Sequence, residues 1–197
     1  MVELYGAAKD WDSLEGCFSK YSAIPDCRPL YRSSSPLMTA AKENNREFAE
    51  RLLTHGANVN KTDSSGLRPL NYALRAGHVS MATFLLEKGA DSAYVLGAKK
   101  RDQPPVTLLD DAKQGGITDA ELLKKLAAGV PLTEEAEHAA LLVAVEMNNM
   151  DLVNQLLERG ALFASGEKYY VGKMNDIKAR QMHAFLEEKG VRVDYSD

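Results

Sequence analysis

Two stretches of this chain read alike when one is slid along the other. "PLMTAAKENNREFAERLLTHGANVN" begins at Pro36 and "PLNYALRAGHVSMATFLLEKGAD" begins at Pro69, an offset of 33 residues. The same offset pairs Ala40 with Ala73, Leu52 with Leu85, Leu53 with Leu86, and Gly56-Ala57 with Gly89-Ala90. One step backwards sets "LMTAAK" at Leu37 over "LYGAAK" at Leu4. A fixed period constrains the fold more tightly than any composition can. Each unit is then one supersecondary element whose apolar face is covered only by its neighbours.

The unit itself reads as two short helices. Proline at a helix start costs no hydrogen bond, because that N–H has no intrahelical partner anyway. Leu37, Ala40 and Ala41 put small apolar side chains on one face, which lets a second helix come close. After "ENN", Phe48, Leu52 and Leu53 recur at the spacing of a core-facing second helix. Gly56 then supplies a residue able to take positive φ at the helix end.

At "DSSGLRPLNYALRAGHVSMATFLLEKGAD" (Asp63 to Asp91) the chain resembles the ankyrin-repeat family, whose pattern there is D-x-x-G-x-T-P-L-H-x-A-A-x-x-G-H followed by L-L and G-A. The resemblance implies an all-α solenoid of stacked helix-turn-helix units with short hairpin loops. It extends, more weakly, past Asp91. "DQPPVTLLDDAKQGG" parallels the Asp63 stretch at an offset of 39, with about six extra residues falling in "SAYVLGAKKR". "ALLVAVEMNNMDLVNQLLERGA" parallels the second unit at an offset of 104, matching Asn44-Asn45 with Asn148-Asn149. "KMNDIKARQMHAFLEEKGV" reads as a divergent, polar closing repeat. The expectation is one ankyrin-repeat domain over 1–197, with six units near 1–24, 25–59, 60–96, 97–131, 132–163 and 164–197.

Composition sets the class of protein. Hydrophobic residues make up 45% and charged residues 26%, as in an ordinary globular chain. No signal-peptide core and no membrane-length apolar run occurs, so the expected location is a cytosol, that of a host cell if the protein is translocated. Cys17 and Cys27 read as reduced, incidental thiols, and the "NKT" sequon at Asn60 as chance. Between Asp102 and Glu158 eleven acids face three bases, a local charge of −8 within a net −4. That segment disfavours nucleic acid and favours a basic protein partner, or else it is a solvated helical surface.

No catalytic constellation emerges. The chain has no GxxxxGK[ST] loop, HExxH, GxSxG or paired CxxC. His55, His78, His138 and His183 fall in separate units, the first two as turn residues. His138 in "TEEAEHAA" stands beside Glu134, Glu135 and Glu137, in what register makes the turn before the fifth unit's first helix. A carboxylate–histidine group can bind metal or move protons, and acids at a helix start also simply favour its dipole. Lys99-Lys100-Arg101 is a phosphate contact or a solvated loop tip.

The family's Thr-Pro-Leu-His lock is eroded. Met38 follows Ser35 where histidine belongs, Arg68 and Asn71 replace both partners, Leu108 and Asp110 follow Thr107, and Ala139-Ala140 carries no hydroxyl. Each lost cap costs about 1 kcal/mol, so the back half is expected to be marginally stable.

The resemblance also implies a concave face of hairpin tips and first helices. Contact candidates there are Tyr31, Arg32, Ser34, Lys42, Glu43, Ser64, Ser65, Leu67 and Arg75, then Gln103, Val106, Gln114, Glu134, Glu135, Glu137, His138, Glu146 and Met147. Tyr31, Arg32 and Met147 are the best anchors by residue type. Trp11 is either such a contact or a capping core residue. The leading expectation is a non-enzymatic module that grips one partner protein, without cofactor or metal, nucleic acid or membrane, and monomeric when free. It would act as a stand-alone inhibitor, an immunity protein or an adaptor. The alternatives are a translocated effector binding a host protein, a metal-dependent enzyme in residues 97–197, or a structural spacer.

Overall fold

A computed structural model describes residues 34–96, 105–163, 168–171 and 176–195. Contacts divide the chain into two compact units, residues 1–91 with 114–117 and residues 92–113 with 118–197. Nine helices occur among the described residues, packed mostly as sequential pairs. None is long and apolar enough to cross a membrane.

In the first unit, α1 (Pro36–Lys42) packs on α2 (Arg46–Thr54), α3 (Pro69–Arg75) packs on α4 (Val79–Glu87), and α1 also packs on α3. Small residues make this close approach possible. Ala40, Ala41 and Ala73 are completely buried, with Leu37, Leu52, Leu74 and Leu85 between them. Each fully buried leucine contributes about 1.5–3 kcal/mol relative to exposure. The turn joining α1 to α2 needs one left-handed residue, and Asn44 supplies it at φ 55°. Asn45 then caps α2 by accepting from Phe48 N at 3.1 Å. One repeat later Gly77 takes the same conformation at φ 74°.

Two polar residues tie the loops of this unit together. Asp63 is buried; its Oδ1 accepts from Ser65 N at 2.7 Å and Leu67 N at 2.9 Å, and its Oδ2 accepts from the Tyr72 hydroxyl at 2.8 Å. The carboxylate thus folds its own turn and pins it to α3. Asn60 donates from Nδ2 to the Gly89 carbonyl at 3.1 Å and accepts at Oδ1 from Asp91 N at 2.9 Å, clamping one repeat's end to the next.

The second unit contains α5 (Leu108–Gln114, of which Gln114 falls in the first unit), α6 (Ala120–Gly129), α7 (Glu134–Glu146) and α8 (Met150–Glu158). Helix α8 packs on both α7 and α6. Arg159, just past α8, donates to the carbonyls of Ala127 and Val130 and ties the α6 end to it. Asn148 (φ 50°) and Asn149, which accepts from Leu152 N at 3.2 Å, repeat the Asn44-Asn45 turn.

The structure departs from the sequence expectations at three places. The segment "TEEAEHAA" is helical, not a turn: α7 starts at Glu134, and Thr133 caps it by accepting from Ala136 N at 3.3 Å. The hydroxyl thought lost at Ala139-Ala140 is therefore present six residues earlier. The eroded locks also keep their bonds. Asn71 Oδ1 accepts from Arg68 N at 2.8 Å, and Asp110 Oδ2 accepts from Thr107 N at 2.7 Å and from its hydroxyl at 2.8 Å. Finally, the closing segment is strand–helix–strand. β1 (Lys168–Val171) pairs in parallel with β2 (Arg192–Tyr195), and α9 (Ile177–Glu188) packs on both.

Candidate protein-binding surface

In the first unit the side chains with scaffold duties separate from those without. His78 Nε2 lies 3.0 Å from the Lys42 carbonyl and His55 Nδ1 lies 2.8 Å from the Arg51 carbonyl, so both imidazoles are tied to backbone. Arg68 Nη1 bonds Asp91 Oδ2 at 2.8 Å. Lys42, Glu43, Ser64 and Ser65 are exposed, the first pair at the end of α1 and the second at the turn that Asp63 folds. Ser34, Leu67 and Arg75 are half-buried. Gln114 is exposed at the end of α5. Tyr31, Arg32 and Gln103 lie outside the described residues, as do Trp11, both cysteines and the Lys99–Arg101 run.

In the second unit the structure gathers four of the expected contacts at one place. Glu134, Glu135, Glu137 and His138, on the first turns of α7, face Gly160, Leu162 and Phe163 across a cleft of about 720 Å³. None of the three carboxylates makes an ion pair or side-chain hydrogen bond with a described residue. His138 Nδ1 lies 3.4 Å from the hydroxyl of Tyr169, a residue of β1 with no exposed surface. Phe163 meets the Tyr169 ring edge-on at 5.1 Å. Among the described residues no group of three or more His, Cys, Asp or Glu is arranged to hold a metal ion.

The remaining candidates are elsewhere in this unit. Glu146 is ion-paired with Lys113. Val106 forms an isolated antiparallel bridge with Leu96, with reciprocal bonds of 2.9 and 3.0 Å. Met147 lines a separate cleft of about 330 Å³ with Leu123, Asn148, Asp151, Lys178 and Gln181.

Leu162, Phe163 and Tyr169 were not among the expected contacts, although one of them was legible. The units ending in Gly56-Ala57 and Gly89-Ala90 continue with Asn58 and Asp91, whereas Gly160-Ala161 continues with Leu162. That residue is 79% exposed, an apolar side chain placed where its counterparts are polar.

Two titrations mark how the scaffold uses its polar groups. Burial pushes the Tyr72 phenol up to about 12, and the hydrogen bond to the Asp63 carboxylate adds to the rise. Burial also raises Asp110 above the usual carboxylate range, against the two bonds from Thr107 that lower it.

Residues 6–94 match the family model described as ankyrin repeats (3 copies). Over these residues the chain carries ankyrin repeats. Ankyrin repeats imply a protein-binding module. A putative ankyrin repeat protein of fowlpox virus, FPV219, is 26% identical over 135 residues, covering 68% of this chain and 30% of the viral one. An ankyrin repeat and LEM domain-containing protein 1 homolog of Caenorhabditis elegans is 40% identical over 72 residues, 36% of this chain and 10% of that one. The transcription regulator FGM4 of Gibberella zeae is 41% identical over 63 residues, 32% of this chain and 24% of that one. The chain thus spans less than a third of the length of each relative.

Proposed function

We propose that this chain binds a partner protein through the exposed tips and helix ends of its repeats, and that it acts by occupying the partner's surface, not by catalysis. In this reading it serves as an inhibitor or an adaptor. The observation that carries the proposal is the division of labour among polar side chains. Asn60, Asp63, Asn71, His78, Thr107 and Asp110 are all consumed by loops, caps and repeat junctions. Lys42, Glu43, Ser64, Ser65, Glu134 and Glu135 stay exposed and carry no such duty. Exposed polar side chains of that kind suit the rim of a protein–protein contact.

The charge distribution adds direction. The −8 carried by residues 102–158 matches a basic region on the partner and steers its approach. Affinity capture from the native source followed by mass spectrometry tests the reading. A specific protein is expected to be retained, and its retention is expected to weaken when Glu134, Glu135 and Glu137 are reversed to lysine. Absence of any specifically retained protein would overturn the function. Retention unaffected by the triple reversal would overturn the acidic part alone.

A further inference from the structure

The cleft in the second unit has two walls of different chemistry. One is the start of α7, carrying Glu134, Glu135 and Glu137; the other is the loop after α8, carrying Leu162 and Phe163. Acids at a helix N-terminus are favourable in themselves, because they oppose the positive end of the dipole. Dipole stabilisation does not account for the opposite wall. Leu162 is 79% exposed, and the preceding loop, held to α8 by the 2.6 Å bond from Arg159 to the Val130 carbonyl, carries Leu132 at 74%. Apolar side chains set together at a surface and rimmed by polar residues, as Leu162 and the half-buried Phe163 are here, mark recognition surfaces.

The wall is also held in place. Phe163 rests edge-on against Tyr169, which is wholly buried and whose hydroxyl reaches His138 on the opposite wall. A preformed cleft loses little freedom when it is filled. Some acids elsewhere on the described surface have a base, Glu47 with Arg51, Glu50 with Lys88, Glu121 with Lys124 and Glu146 with Lys113, and others such as Glu43 and Glu158 stand exposed singly. The three cleft carboxylates differ in standing together on one wall, with no base paired to them among the described residues.

We infer that this cleft receives a segment of the partner protein in which a lysine or arginine stands beside a bulky apolar side chain. The cation meets Glu134, Glu135 and Glu137, and the apolar neighbour covers Leu162 and Phe163. This rests on the protein-binding reading and deepens it by naming the chemistry of the bound segment.

The test is a titration of the isotope-labelled full chain, followed by NMR, with three synthetic decapeptides. One alternates leucine and arginine, one serine and lysine, and one leucine and glutamate. The leucine–arginine peptide is expected to shift the amides of residues 134–138 and 160–163, binding about tenfold tighter than either control. Leu162→Asn, which restores the side chain found at the equivalent Asn58, is expected to weaken it about tenfold. Changing the three glutamates to glutamine is expected to do the same and to flatten the salt dependence. Equal binding of the serine–lysine peptide, shifts located elsewhere, or an unaltered Leu162→Asn variant would each overturn the inference. Captured partner retained in full by these variants would sink the cleft while leaving the protein-binding function standing. Failure of wild-type chain to capture any partner would sink that function and leave the peptide titration to decide the cleft.

Discussion

The Tyr72 hydroxyl donates to Asp63 Oδ2 at 2.8 Å, joining the first helix of a repeat to the turn nine residues before it. Asp63 uses its other oxygen for two backbone amides, so one carboxylate organises both the turn and its attachment. The phenol is pushed up to about 12 from its ordinary 10.0, because burial and the nearby carboxylate both oppose its ionisation. Below about pH 10 the folded and unfolded chains both hold this proton, and the bond's full contribution is present. Between about 10 and 12 the unfolded chain loses the proton first, so stability falls as pH rises. Denaturant melts across this window should fall more steeply for the wild type than for Tyr72→Phe. At neutral pH the same variant should lose about 1.5–3 kcal/mol, as for a hydrogen bond to a charged group.

Asn60 joins consecutive repeats through the Gly89 carbonyl and the Asp91 amide. Asn60→Ala removes both contacts from a solvent-accessible site, where water replaces part of what is lost. A destabilisation of about 1 kcal/mol is expected in urea unfolding. Asn60→Asp keeps the acceptor for Asp91 N but turns a carboxylate oxygen toward the Gly89 carbonyl, and should cost at least as much as alanine.

Gly115 and Gly116 are neighbours with opposite requirements. A Cβ on Gly115 would stand 1.9 Å from the Leu74 carbonyl oxygen and 2.9 Å from Gly77 N, whereas Gly116, at φ +67°, meets nothing within 4 Å. Gly115→Ala therefore requires backbone movement in α3 and should cost about 3 kcal/mol or more. Gly116→Asn, a residue that tolerates the left-handed region, should cost under about 1 kcal/mol. Thermal melts of the pair separate close packing from backbone conformation.

Thr133 caps the longest helix described, the 13-residue α7. Thr133→Ala should lower stability by about 1 kcal/mol, and Thr133→Ser should restore most of it. Alanine at this position with no loss would contradict the placement of the α7 start at Glu134.

What was legible in the sequence was what is local. Pro36 and Pro69 marked helix starts, and the match of Asn44-Asn45 with Asn148-Asn149 identified one turn used twice, because a left-handed residue followed by a cap is specified within four positions. The start of α7 was misplaced because it was carried by register from the second unit. Its cap is Thr133, six residues before the position that register assigned. The replacement of both lock residues by Arg68 and Asn71 looked like a lost bond, yet Asn71 offers its own acceptor to the Arg68 amide. The pairing of β1 with β2 was not legible. Lys168 meets Arg192 across an intervening helix, and four-residue strands leave too little alternation to mark them. The acidic wall of the cleft was visible as a charge cluster. Its partner wall, Leu162 and Phe163, was not, because two adjacent apolar residues carry no periodic signal and only the polar Asn58 and Asp91 at equivalent positions set Leu162 apart.

The central claim is that the chain works by holding a partner protein in a stoichiometric complex. Light scattering on purified chain mixed with its captured partner measures this directly. The account predicts one stable species whose mass is that of the partner plus the 21.6 kDa chain, or a simple multiple of that sum. Two separate peaks, with the partner cleaved or otherwise chemically altered, would contradict it.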